Sequence, residues 1–244
     1  MSEPLLDLAV YLVPPEEHEI YRVCAAVLGW DCRRERAVER MALPGIPPDL
    51  LAEWVGPAAK FGPHGTVGGW MRVPSRHRDR IVDEMREVAA SFGPIALTRG
   101  RFAAPGDYWH PATAPSPILV AAFDELTGML DALHAEVVVR FNRLAVSSTQ
   151  SDRIDAPIWT PRERARLARY HEARVLEGFR FHVSFATGTP GPDAVDRLRR
   201  AIVDATGLFS RREHTTWTAA ELFLFERGPD GFWRMPERFA FSGG

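Results

Sequence analysis

The chain has 244 residues, 45% of them hydrophobic and 25% charged, enough to bury a sizeable core in one large domain or two small lobes and too apolar for a disordered or fibrous protein. Thirty basic residues against 32 acidic ones leave a formal net charge of −2, which excludes a global electrostatic drive toward long nucleic acid or an anionic membrane but allows a local basic cleft. Lys60 is the single lysine, so anion contacts fall to arginine guanidinium groups.

Met1-Ser2-Glu3-Pro4 lacks the basic start and apolar run of a signal peptide, and no stretch approaches the roughly eighteen apolar residues of a membrane span; a cytoplasmic protein is expected. Leu8 to Val13 reads as a strand ended by Pro14-Pro15, and Glu16 to Leu28 as a helix stopped at Gly29. Cys24 and Cys32 are too few for a disulfide framework and have no histidines at zinc-ligand spacing, so one buried small hydrophobe and one surface thiol are expected. Asp31 to Gly62, broken by Pro44, Gly45, Pro47, Pro48 and Pro57, reads as a surface excursion with one short helix near Asp49. His64 to Val73 fits a strand, and Ser75 is the expected cap of an amphipathic helix that buries Ile81, Val82, Met85, Val88 and Ala89 and stops at Gly93. Apolar segments follow at Ile95 to Phe102 and Ile118 to Phe123, then a helix from about Asp124 to Val139 and a polar stretch from Asn142 to Ile158. Thr160-Pro161-Arg162-Glu163 announces another helix, with an N-cap, a proline at the first helical position and a glutamate at the third. Phe179 to Thr187 reads as a strand, Asp193 to Thr206 as a helix stopped at Gly207, and Trp217 to Glu226 and Phe232 to Phe241 as two strands.

The order β-α-β-β thus occurs twice, and Ser75 and Asp193 each lie 11 residues after a histidine, His64 and His182. The expected fold class is α+β: one bilobal domain over residues 1–244 with pseudo-twofold units near 61–123 and 178–241, a helical connection near 124–177, and two antiparallel sheets facing a central cleft.

Each unit's first strand carries a histidine, any residue, a hydroxyl and an apolar residue: His64-Gly65-Thr66-Val67 and His182-Val183-Ser184-Phe185. Strand alternation puts Arg180, His182 and Ser184 on one face, with Phe179, Phe181, Val183 and Phe185 on the other. By the same rule His64, Thr66, Gly68 and Trp70 share a face, opposite Gly65, Val67, Gly69 and Met71. Two imidazoles facing one cleft suit a general base and a general acid, and hydroxyls two residues on suit the charged oxygens of a phosphate. Arg180 on that face could neutralise phosphate or close a salt bridge at the cleft edge.

These motifs, 118 residues apart, resemble the two-histidine phosphoesterase superfamily. Phe61-Gly62-Pro63-His64-Gly65-Thr66, Phe179-Arg180-Phe181-His182-Val183-Ser184 and Glu221-Leu222-Phe223-Leu224-Phe225-Glu226 resemble its bacterial branch often encoded beside phosphonate-degradation genes, and Val10-Tyr11-Leu12-Val13-Pro14-Pro15 and the helix from Thr160 also fit. The resemblance implies the bilobal fold, one histidine and one hydroxyl from each lobe, no metal and no cofactor. It further implies cleavage or formation of 2′,5′-linked or 2′,3′-cyclic phosphodiesters. Three departures bear on the substrate: Gly65 stands where an apolar residue is usual, Gly68-Gly69 where a basic residue is common, and His171 to Arg174 where aromatic residues are expected.

The expected function is therefore a metal-independent phosphodiesterase acting on a small cyclic or 2′,5′/2′,3′-linked phosphodiester, with His64 and His182 catalytic and Thr66, Ser184 and Arg180 binding substrate. Its partner is a small phosphodiester, a nucleotide or an RNA end, with no membrane and no obligatory protein partner, as a monomer. Two alternatives are a two-histidine enzyme repurposed for another acid-base reaction and a nucleotide-binding module without turnover. His18, His77, His134 and His214 are expected in capping or solvated roles, the arginines 162, 164, 166 and 169 on a solvated helix face, and Tyr108-Trp109-His110 lining a cleft or plugging a gap.

Overall fold

The computed structural model describes residues 3–103 and 118–243, so Tyr108-Trp109-His110 lies outside the described residues. In chain order its elements are β1 (Leu5–Leu12), α1 (Glu19–Leu28), β2 (Trp30–Asp31), β3 (Arg36–Ala37), α2 (Pro48–Val55), β4 (Gly65–Pro74), α3 (Arg78–Ala90), β5 (Ile95–Ala103) and β6 (Leu119–Asp124). There follow α4 (Met129–Phe141), α5 (Pro161–Tyr170), β7 (His182–Ala186), α6 (Pro192–Thr206), β8 (Trp217–Ala219), β9 (Glu221–Arg227) and β10 (Trp233–Ala240).

The α+β class expected from the sequence is the one adopted. The two expected sheets are halves of one eight-stranded sheet, ordered β10-β9-β1-β4-β7-β6-β5-β8, with β2 and β3 forming a separate hairpin. The halves meet where β4 pairs antiparallel with β7 through Gly65 and Val183. Each β-α-β-β unit is shared between the halves: β4 lies in one half while β5 and β6 lie in the other, and β7 stands opposite β9 and β10.

The stretch read as one strand from Trp217 to Glu226 is two. β8 pairs with β5 at one end of the sheet and β9 pairs with β1 and β10 near the other, with only Ala220 between them. The sheet must therefore bend round until these ends meet. No proline or glycine marks the crossing, and buried Trp217, Ala219 and Leu222 to Phe225 make the stretch read as one apolar strand.

Alternation along β1 divides the core. Leu8, Val10 and Leu12 join the main cluster with Ile81 and Met85 of α3, Val137 and Phe141 of α4 and Leu198 and Ile202 of α6. Ala9, Tyr11 and Val13 turn the other way, into an aromatic cluster with Phe223, Phe225 and Trp233. A third small cluster, Ala103, Ile118, Val120 and Ala122, belongs to β5, β6 and the residue before β6. Each fully buried large apolar side chain stabilises by about 1.5–3 kcal/mol relative to exposure.

Several helix ends follow their local chemistry. Thr160 accepts from the Glu163 N–H while the Glu163 carboxylate accepts from Thr160, the complete capping box. Gly29 and Gly207 end α1 and α6 in the left-handed region. Ser75 is not a cap: Ser75 to His77 form a 3-10 turn and α3 begins at Arg78 without a side-chain cap. Cys24 and Cys32 are both buried, in place of the expected surface thiol, with their sulfurs against the carbonyls of Ser184 and Pro63. No described helix is long and apolar enough to cross a membrane.

Candidate active site

The site grows from the junction of β4 and β7. With Gly65 opposite Val183, the antiparallel register brings His64 beside Ser184 and Thr66 beside His182, with all four side chains on the face opposite Gly65 and Val183. Directly opposed residues have Cβ atoms about 4.5–5.5 Å apart. A pseudo-twofold axis between Gly65 and Val183 exchanges the two motifs and sets histidine against hydroxyl in both directions.

Gly65 leaves no vacancy. A Cβ there would lie 2.2 Å from Phe181 Cζ, so the phenyl ring of the second motif fills the place where an apolar side chain is usual in the first. The turn into β4 depends on Gly62, with φ +73° and Cys32 Cβ 2.7 Å from where its own Cβ would be. That turn presents the Gly62 carbonyl to His64.

Both imidazoles are held in the same way. His64 Nδ1 donates to the Gly62 carbonyl and His182 Nδ1 to the Arg180 carbonyl, each at 2.8 Å and each two residues back. Because a carbonyl can only accept, the proton sits on Nδ1 in both neutral rings and Nε2 is the atom that exchanges protons. The surroundings differ. The His64 ring stacks on Tyr11 at 4.0 Å, with Phe61 at 5.5 Å and Phe225 at 6.3 Å. Burial holds this imidazole down to about 4, with the His182 charge adding to the depression and the Gly62 carbonyl opposing it. Burial also lowers His182, and Arg174 acts in the same direction.

A cleft of about 390 Å³, in the range of small-molecule sites, is lined by Thr66, His182, Ser184, Glu172, Arg174 and Arg180 among others. Arg180 is exposed and precedes β7 instead of lying within it; its guanidinium donates to the Glu177 and Phe179 carbonyls at the cleft edge. Second-strand alternation is as expected, with Phe179, Phe181, Val183 and Phe185 buried. First-strand alternation fails after Val67, where the β1–β4 register shifts twice. In consequence Gly68 faces Val137 and Val10 in the core, while Gly69 faces the Glu172 carboxylate.

Glu172 and Arg174, which line the cleft, are not singled out by sequence reasoning. They ride on a strap between α5 and β7 fixed from afar: Asn142 Nδ2 donates to the Tyr170 carbonyl, Ser148 Oγ to the His171 carbonyl, and the Ala173 N–H to Gln150 Oε1. The Gly69 N–H donates to Glu172 at 3.3 Å, and burial pushes the carboxyl up to about 7 against the pull of that N–H and of Arg174. The one sequence signal is that residues 171–174 lack the aromatics that the resemblance leads one to expect. His134 is also placed differently from expectation. It is buried, with its ring stacked on Phe179 at 3.8 Å, Nδ1 donating to the Val67 carbonyl and Nε2 accepting from the Leu176 N–H. His18 caps α1 as expected, accepting from the Ile20 N–H.

The family model described as a protein of unknown function (DUF1045) matches residues 72–229, more than half of the chain. The chain belongs to the DUF1045 family. The DUF1045 match contains His182, Ser184, Glu172 and Arg174, whereas His64 and Thr66 precede it. No curated protein matches this DUF1045 chain. Among solved structures it is similar to TT0787 of Thermus thermophilus, at 15% identity over 97% of this chain and 98% of that one with a TM-score of 0.48. It is similar also to E. coli LigT complexed with NADP+ (13% identity, 99% of both chains, TM-score 0.46) and to Usb1 of Kluyveromyces marxianus (13%, 98% of both chains, TM-score 0.41).

Proposed function

We propose that this DUF1045 protein is a phosphodiesterase in which His64 and His182 act as one acid-base pair on a small cyclic or 2′,5′/2′,3′-linked phosphodiester. The observation that carries this reading is the reciprocal placement of two Nδ1-anchored imidazoles and two hydroxyls across the β4–β7 junction. A phosphoryl group there receives hydrogen bonds from Thr66 and Ser184, and Arg180 and Arg174 supply positive charge along the same cleft.

His64 is the base. Its aromatic surroundings keep it neutral at physiological pH, so Nε2 can take the proton of water as the oxygen attacks phosphorus. His182 lines the cleft, where the anion offsets the burial that lowers it, and gives its proton to the departing ribose oxygen as the P–O bond breaks. In the reverse direction the roles exchange.

The test is product analysis on 2′,3′-cyclic nucleotides, a cyclic ribose phosphate and a 2′,5′-linked dinucleotide, in chelator, with His64→Ala and His182→Ala alongside. The expected result is hydrolysis that survives chelation and falls by about 10²–10⁴-fold in each variant. Turnover of none of these by the folded wild type, or turnover kept in both variants, would remove the reading; a nucleotide bound without product would favour a binding module.

A further inference from the structure

The pseudo-twofold axis that relates the two motifs does not extend to the groups flanking them. Rotation about it exchanges Gly69 with Thr187, and Thr187 is met by a neutral backbone: its N–H and Oγ1 both donate to the Val55 carbonyl. Gly69 is met instead by a carboxylate, whose two oxygens lie 2.6 Å from where a Cβ would stand. Tyr11 and Arg174 also interact with this carboxyl, and it lines the same cleft as Thr66, His182 and Ser184. An acid here sits in a cleft otherwise furnished for an anion.

We infer that Glu172 is a specificity-determining residue that makes the cleft favour a singly charged phosphodiester over a doubly charged phosphomonoester. This rests on the phosphodiesterase reading. A diester carries one negative charge; a monoester, with a second pKa of about 6, carries nearly two above neutrality. The arginines attract both ligands. The carboxylate subtracts from that attraction for each unit of ligand charge, and poorly solvated surroundings strengthen the effect. Opening a cyclic diester with water converts one ligand into the other, because the P–O bond to one ribose oxygen breaks, that oxygen keeps a proton, and the new phosphate oxygen ionises. The group that admits the substrate thereby disfavours retention of the product.

The test compares two ligands that carry neither a cyclic nor a 2′,5′-linked phosphodiester: 2′-deoxyadenosine 3′-monophosphate and its 3′-methyl diester, titrated calorimetrically at pH 8 into wild type and Glu172→Gln. Wild type is expected to bind the methyl diester more tightly. Glu172→Gln should tighten the monoester on the order of tenfold and the diester only about threefold, half as much on a logarithmic scale, so the ratio of dissociation constants moves by about threefold. A purely structural role would shift both ligands together. Equal shifts, no shift, or no binding of either ligand by wild type would overturn the inference. No turnover is needed, so a ratio that moves in a protein inert to every cyclic or 2′,5′-linked substrate would condemn the phosphodiesterase reading alone, and the converse would condemn charge selection alone.

Discussion

His134 makes two hydrogen bonds that only a neutral ring can make together, giving a proton to Val67 and taking one from Leu176. Burial holds it down to about 4, whereas in the unfolded chain it titrates near 6.5. Between these values the unfolded chain binds more protons, so this stabilisation is complete above pH 6.5 and is lost as pH falls toward 4, by roughly 3 kcal/mol. His64 is depressed in the same direction and adds to the same window. Urea unfolding at pH 7 and pH 4.5 should therefore show a marked drop in midpoint, and His134→Gln should shrink that drop; an equal drop in the variant would refute the assignment. His64, Thr66, His182 and Ser184 are legible in the sequence because a hydroxyl two places after a histidine shares its face on any strand. Glu172 is not legible, because its partner Gly69 is 103 positions away and nothing local marks the approach.

The β4–β7 junction contains an interlocking contact, the Phe181 ring over Gly65. Gly65→Ala is expected to destabilise the protein by about 1–3 kcal/mol through overpacking, and Phe181→Leu in the same chain should restore part of the loss. A double-mutant cycle by denaturant unfolding checks this, and strict additivity would show that the two positions do not meet. Legibility at this scale follows the range of the cause. The helix at Thr160 is readable because cap, proline and glutamate act within four residues. Ser75 misleads because the 3-10 turn there is tied to the N-terminal segment, with its N–H bonded to the Pro4 carbonyl. The bulges that turn Gly69 toward Glu172 are set by register with β1, which alternation along one strand cannot reveal.

For the whole molecule, the duplication visible in sequence does not give two separable halves. The β4 half is completed by β9 and β10, which come after β7 in the chain, while the β7 half is completed by β5 and β6, which come before it. Neither half can form its sheet alone, so both should unfold in one transition. Trp217 in one half and Trp70 and Trp233 in the other make this measurable. Fluorescence and far-ultraviolet circular dichroism should give coincident urea curves, and two resolved transitions would contradict the interleaving. The same interleaving brings two motifs from distant parts of the chain into one site, and the central claim is that their histidines work as a unit. The most direct measurement is turnover of the best cyclic substrate by wild type, His64→Ala, His182→Ala and the double variant, in chelator. If the imidazoles act as one pair, each single change costs about 10² or more and the double variant falls little below the worse single, because half a pair is already disabled. Wild-type turnover in either single variant, or losses that multiply in the double, would contradict the account.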